Sequence, residues 1–218
     1  MNLKPPSPFG QLCIWTDTEA DPLVDADFNA WYDREHMQER VGLPGFRHAR
    51  RFLANDGQAR RYLALYVTDS LGVFDSASYK QAFTVQTDWS LRNFARMTNT
   101  QRRVGELVLE AGAGEGGQLA LFVLPPQAAD STRWHAHAEA SARQAGIHAI
   151  RMFCTDARLS TPLATSGGTP QLAAADAIVF VEGSDAAATR AVAETLAREA
   201  GASPDDVRTF SLLWRLGA

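Results

Sequence analysis

Cysteine is scarce in the 218-residue chain: only Cys13 and Cys154 are present, too few for a disulfide framework. Both lie in apolar, strand-like runs and neither belongs to a CxxC, so they read as inert buried thiols and not as a redox pair or zinc ligands. Basic residues are outnumbered, 21 Lys and Arg against 25 Asp and Glu, and the two signs are mixed along both halves. Without a basic face, nucleic acid is not an expected partner. No stretch approaches the roughly 20 apolar residues that a membrane helix needs, and the start MNLKPPSPFG has no signal-peptide core. The expectation is a cytoplasmic protein with no membrane partner. Catalytic signatures are equally sparse, with no GxSxG, no HExxH and no nucleophilic triad. The glycine-rich run GAGEGG lacks the Lys and Ser/Thr of a phosphate loop and does not open a helix. What is present is an ordinary globular composition, 45% apolar with 16 Gly and 10 Pro spread along the chain. The length suits one or two domains of roughly 100 to 200 residues each.

An internal duplication organises the chain. Gly10-Gln11-Leu12 opens the strand-like run QLCIWTD, and Gly117-Gln118-Leu119 opens QLALFVLPP. In the first half the pattern reads strand near 11 to 17, helix near 25 to 40, strands near 46 to 54 and 61 to 68, helix near 76 to 95 and strand near 101 to 110. The second half repeats that order at 118 to 124, 131 to 145, 147 to 156, 176 to 182, 186 to 200 and 206 to 215. Asp25 or Asp27 is suited to cap the first helix, and Gly42 with Pro44-Gly45 to end it. Asn55-Asp56-Gly57 marks a turn between two strands. This gives three expected segments: a first half at 1–110, a Gly-rich linker at 111–117 and a divergent second half at 118–218. A loop near 166 to 176 stands where the first half has its short hairpin.

The order β-α-β-β-α-β implies a ferredoxin-like α+β sandwich with helices on one sheet face. Strands such as YLALYV and AIVFV are apolar at nearly every position, so both sheet faces require cover. Packing the two bare faces together closes a barrel within one chain. The expected fold is therefore α+β, two tandem ferredoxin-like β-α-β-β-α-β units closed into one intramolecular barrel.

The stretch from Asp27 to Phe46, DFNAWYDREHMQERVGLPGF, carries the most chemistry. At about 100° per residue, with Phe28 at zero, Val24, Trp31 and Tyr32 fall at about 320°, 300° and 40° and define an inward face. Glu35 at about 340° and Glu39 at about 20° then lie inside the apolar stripe, with His36 at its edge at about 80°. Ionisable groups aimed inward are how carboxylates and imidazoles reach catalytic pKa values. The structural alternative pairs Glu35 or Glu39 with Arg51 or Arg61 and leaves His36 a satisfied core residue.

The run FNAWYDREHMQERVGLPGF, followed by RHARRF, resembles the EthD-like members of the dimeric α+β barrel superfamily, whose first helix often carries W-Y-x-x-E-H leading into P-G-F. The resemblance implies a pocket between sheet and helices, in a superfamily that includes monooxygenases, decarboxylases, aromatic cyclases and isomerases. It points to Trp31, Tyr32, Glu35 and His36, with Asn29 and Arg40 beside them. The second half departs from it: STRWHAHAEASARQAG has Trp134, His135, His137 and Glu139 but no E-H pair and no P-G-F. His135 and His137 point about 200° apart on a helix, so they do not share a metal.

Two functional readings follow. In the first, the chain is a cofactor-independent enzyme acting on a small apolar or aromatic metabolite by decarboxylation, dehydration, cyclisation or isomerisation. His36 is its general acid/base, Glu35 orients the ring and Tyr32 donates to developing charge. Trp31, Asn29, Arg40 and Trp15 form the substrate pocket, with Tyr62, Tyr66, Phe83 and Trp89 as further apolar lining. Neither a metal nor an organic cofactor is expected. In the second reading the chain is a non-catalytic small-molecule-binding or accessory protein. Arg50-Arg51 and Arg102-Arg103 read as solvated strand edges, with anion recognition the minor alternative. The partner in both readings is a small molecule, and a homodimer stays open.

Overall fold

The computed structural model describes residues 8–128, 131–161 and 175–217; most of the loop expected near 166 to 176 lies outside them. Eight strands are present among the described residues: β1 (Gly10–Thr18), β2 (Phe46–Ala54), β3 (Tyr62–Thr68), β4 (Met97–Gly112), β5 (Gln118–Leu124), β6 (Ile147–Thr155), β7 (Ala177–Gly183) and β8 (Arg208–Gly217). They close into an antiparallel barrel in the order β1-β3-β2-β8-β5-β7-β6-β4. Within it the halves run β4-β1-β3-β2 and β8-β5-β7-β6, the same ferredoxin-like order twice. The seams are reciprocal, since β2 of the first half pairs with β8 of the second and β6 of the second with β4 of the first. No helix among the described residues is long and apolar enough to cross a membrane.

Strand alternation sorts the apolar residues into three cores. Cys13, Trp15, Phe52, Leu63 and Leu65 meet Leu119, Leu121, Phe153, Phe180 and Phe210 inside the barrel. An eight-stranded barrel is just wide enough for such side chains to fill it. The opposite sheet faces carry helices, with one core per half. The two Gly-Gln-Leu triplets are not equivalent in space: Leu12 faces the helices and Leu119 the barrel. A slip of one residue along a strand exchanges its faces, so the element order repeats while the triplet alignment is out of register.

The first helical segment starts earlier than expected. Its N-cap is Asp21, not Asp25 or Asp27, and its carboxylate accepts the Leu23 and Val24 N–H groups ahead of α1 (Pro22–Trp31). A π turn follows at Tyr32–His36 and then α2 (Met37–Val41). Gly42 keeps a helical φ of −70°, and Gly45, at φ +87°, reverses the chain into β2. The helix expected near 76 to 95 is two, α3 (Ala77–Thr84) and α4 (Asp88–Arg96). Val85 is extended, and Thr87 caps α4 by accepting the Ser90 N–H. In the second half α5 (Ser131–Ala142), the short α6 (Ala157–Ser160) and α7 (Ala186–Glu199) complete the cover.

The π turn alters the inward face. It adds one residue to the helical count, so everything after it is displaced by one position. Counting one fewer puts His36 at about 340° and Arg40 at about 20°, the angles a straight helix gives Glu35 and Glu39. Burial agrees: His36 and Arg40 are 6% and 2% exposed, Glu35 is half-buried and Glu39 is exposed.

Candidate functional site

Behind the first half's sheet, α1, the π turn and α2 lay an aromatic floor against β3 and α4. Phe28, Trp31 and Tyr32 pack on one another at 4.9 to 5.9 Å between ring centroids. The His36 imidazole lies against Trp31 at 4.3 Å and 30°. Tyr32, Phe94 and Tyr66 present edges to it at 5.1, 5.5 and 6.4 Å. Arg40 reaches into the same layer over the Phe83 ring at 4.6 Å and donates from Nη1 to the Ala82 carbonyl.

Two kinds of polar group share this layer. The first kind is saturated. Asn29 donates to the Asp25 carbonyl and the Tyr62 hydroxyl and accepts from Arg51 Nη2. The other Nη of Arg51 bonds Asp33 Oδ1 at 2.8 Å, which also accepts from the Trp214 indole of β8. Arg61 pairs with Asp17 and Asp25. Arg51 and Arg61 are thus engaged by aspartates and not by Glu35 or Glu39.

The second kind lacks partners. His36 Nδ1, Arg40 Nη2, and the hydroxyls of Tyr66 and Tyr79 are buried and make no hydrogen bond. Buried polar atoms are nearly always paired, so a group of them in one layer stands out, and the cavities of about 430 and 100 Å³ border none of them. Burial, and then the charges of Arg40 and Arg51, hold the His36 imidazole well below its ordinary pKa of 6.5. It is a neutral ring at neutral pH. Burial pushes the Tyr66 hydroxyl well above 10, with the neighbouring Tyr32 phenol adding to it. Tyr32 is raised too, first by burial and against the pull of Arg51. The layer therefore brings together a neutral imidazole, two protonated phenols and a guanidinium.

Glu35 does not touch His36. Its Oε1 accepts from Thr87 Oγ1 at 2.6 Å and from Ser90 Oγ at 3.1 Å, and Ser90 Oγ in turn accepts the Trp31 indole N–H at 3.0 Å. It holds the indole on which the imidazole lies. Trp15 is also apart from His36: it faces the barrel interior, on the other side of the sheet, where its indole donates to the Arg60 carbonyl. Tyr62, Phe83 and Trp89 belong to the helix-side layer, while Tyr66 and Tyr79 are the residues that sequence reasoning gave too little weight. The helix-side alternation of β3, which puts Tyr62, Ala64 and Tyr66 on one face, is the signal for Tyr66.

The remaining candidates lie elsewhere. His135 and His137 are exposed and pair separately with Glu139 and Glu199. His137 edges a cavity of only about 100 Å³. Among the described residues no group of three or more His, Cys, Asp or Glu is placed to hold a metal ion. Arg50 and Arg51 are not solvated edges, being 3% and 1% exposed.

No protein-family model matches the chain. No curated protein matches it significantly in sequence. In structure it is similar to an anthrone oxidase-like protein, with a TM-score of 0.64 at 10% identity over 97% of this chain and 94% of that one. A protein described as a candidate monooxygenase from Lactobacillus acidophilus NCFM gives 0.55 at 11%, covering 97% of this chain and 96% of its own. A mutant chlorite dismutase from Candidatus Nitrospira defluvii, in complex with cyanide, gives 0.53 at 8%, covering 94% and 91%. At such identities the likeness is one of fold: the chain is a dimeric α+β barrel with both ferredoxin-like units in one polypeptide.

Proposed function

We propose that the chain is a cofactor-independent, EthD-like enzyme that removes an acidic proton from a small aromatic or apolar carbonyl compound. The observation that carries this reading is the set of unpartnered atoms His36 Nδ1, Arg40 Nη2 and Tyr66 OH inside one buried aromatic layer. Neutral His36 accepts the proton at Nδ1. Tyr66 and Arg40 then hold the enolate oxygen, with Tyr32 beside them. Trp31 fixes the plane of the imidazole and Glu35 fixes Trp31 through Ser90, so Glu35 is a positioning residue. Decarboxylation, dehydration, ring closure and isomerisation all pass through such a stabilised anion. Two of the structural neighbours carry oxidase or monooxygenase in their descriptions, which makes dioxygen a further reagent worth testing against the same anion.

The test is hydrogen exchange in D2O, followed by NMR, on a panel of enolisable aromatic ketones that includes anthrone, with and without air. Wild-type protein should speed exchange at the acidic carbon of at least one compound. His36→Ala should slow it by about 10²- to 10⁴-fold, the usual worth of a general base. If no compound exchanges faster than in buffer, or His36→Ala exchanges as fast as wild type, the catalytic reading fails. A protein that only binds apolar metabolites is then the better description, and the close packing of Trp31 on His36 is what favours it.

A further inference from the structure

The middle of the barrel interior is apolar, and ion pairs lie toward both ends: Arg208 with Asp56 at one, and Arg50, Arg151 and Arg215 with their acids at the other. A cavity of about 430 Å³ opens at this second end, its lining combining the apolar Phe9, Val67 and Leu107 with Gln11, Arg50 and Arg215. It lies across the sheet from His36 and shares no residue with that layer.

The two halves supply equivalent arginines to this mouth. Arg50 of β2 lies opposite Leu65 and Arg151 of β6 opposite Phe180, the same place in each unit. Both reach the buried Glu182: Arg50 Nη1 and Nη2 bond its two oxygens at 2.5 and 3.1 Å, and Arg151 Nη1 bonds Oε1 at 2.8 Å. The acids break the symmetry. Where the second half has Glu182, beside Ala149, the first has Val67, beside His48. Where Arg151 faces Glu110 across its seam, Arg50 faces Arg215. Arg151 therefore has two carboxylates, Glu182 and Glu110. Arg50 has only a share of one, and its buried Nε makes no hydrogen bond.

The deficit on the first-half side is met by a single residue of the loop between β4 and β5. Glu115 lies 2.8 Å from His48 Nε2, 3.0 Å from Arg215 Nε and 3.6 Å from Arg50 Nε. Its loop is seated by Arg151 Nη2, which bonds the Gly114 carbonyl, and by Gly116, where a Cβ would collide with the Gly183 carbonyl. Gln11, buried and lining the cavity, makes no side-chain hydrogen bond among the described residues. With Arg47, a further lining residue, paired to Asp69, Arg50, Arg151 and Arg215 are balanced by Glu110, Glu182 and Glu115 only while Glu115 stays in place. Withdrawing that one carboxylate leaves one positive charge uncompensated beside an apolar wall.

We propose that this mouth is a second binding site, for a small monocarboxylate with an apolar tail, and that Glu115 holds the place of the ligand's carboxylate. The incoming carboxylate takes over Arg50 Nε, His48 and Arg215 Nε with Gln11 as an added donor, and the tail lies on Phe9, Val67 and Leu107. Pockets of this size, apolar with a few convergent polar groups, are typical of small-molecule sites, and guanidinium forks suit carboxylates.

Isothermal titration of the whole protein with octanoate, octanol and octylammonium tests this. Octanoate should bind with a stoichiometry of one, about tenfold or more tighter than the other two, as expected when a charge-assisted hydrogen bond is gained. Glu115→Gln should tighten octanoate by about tenfold, and Arg215→Ala, at a half-exposed side chain, should weaken it by about as much. His36→Ala should leave octanoate binding unchanged, which separates this site from the proposed reaction. Octanol binding as tightly as octanoate, Glu115→Gln failing to tighten it, or no octanoate binding by any variant would each overturn the proposal.

Discussion

The contrast between saturated and unpartnered polar groups predicts how single substitutions divide. A buried hydroxyl without a partner has already incurred its desolvation cost, so removing it should cost little. Tyr66→Phe and Tyr79→Phe are both expected to unfold in urea within about 0.5 kcal/mol of wild type or at a higher midpoint. Only Tyr66→Phe, beside the imidazole, should slow proton exchange on a responsive ketone. A loss of about 2 kcal/mol or more in either variant would mean that the hydroxyl has a partner after all. His36 makes a second prediction. Its folded pKa is held below 6.5 by burial and by Arg40 and Arg51, so below about pH 6.5 the unfolded chain binds a proton that the folded chain refuses. Stability should therefore fall as pH drops through that value, by up to about 1.4 kcal/mol per pH unit from this residue. Urea unfolding between pH 7 and 5 should show a shallower decline for His36→Gln than for wild type. Equal slopes would mean that the imidazole is not buried neutral.

At the scale of the element, the sequence showed where the segments lie better than it showed their phase. The strand over 46 to 54 and the strand from 118 to 124 match β2 and β5 residue for residue, because alternation and flanking glycine or proline state both period and limits. The π turn is invisible to a wheel drawn at 100° per residue. No residue type announces it, and the helix motif carried by Trp31, Tyr32, Glu35 and His36 could be read while its facing was assigned one position early. The split of α3 from α4 was hidden for a similar reason, since Val85-Gln86-Thr87 contains neither glycine nor proline. The π turn itself is testable. Deleting the exposed Arg34 should convert it to regular α-helix and leave Trp31 on one side and His36 and Arg40 on the other still facing inward. The expected product folds with an unchanged far-ultraviolet spectrum and keeps the indole shift of Trp31 in NMR. A molten or aggregated product would show that the turn is not a one-residue insertion.

For the whole molecule, apolar strands without a clean polar face were sufficient to anticipate the closed barrel. Its interior chemistry was not legible, because the ion pair of Arg50 with Glu182 joins residues far apart in sequence. Closure makes a simple prediction about cutting the chain. A first half ending at Ala113 leaves Cys13, Trp15, Phe52, Leu63 and Leu65 facing water and the edges of β2 and β4 unpaired. Expressed alone it should self-associate or precipitate. Co-expressed with residues 114–218 it should co-purify as a one-to-one complex of native size in light scattering. Independent monomeric halves would contradict the closed barrel.

The reciprocal seams have an evolutionary consequence. In a barrel made of two identical subunits, every substitution is made twice, once on each side of the axis. An acid at the place of Glu182 would then appear in both halves, and the Arg215 and Glu110 positions would be forced to carry the same charge. Joining the copies through residues 113–117 lifts that rule. Each position can change alone, so one unit can keep the unpartnered imidazole and guanidinium of its helix layer while the other packs Ala138, Ala193 and Ala197 in its own. At the shared mouth, the same freedom lets a single carboxylate, that of Glu115, set the charge of the opening without a copy on the far side.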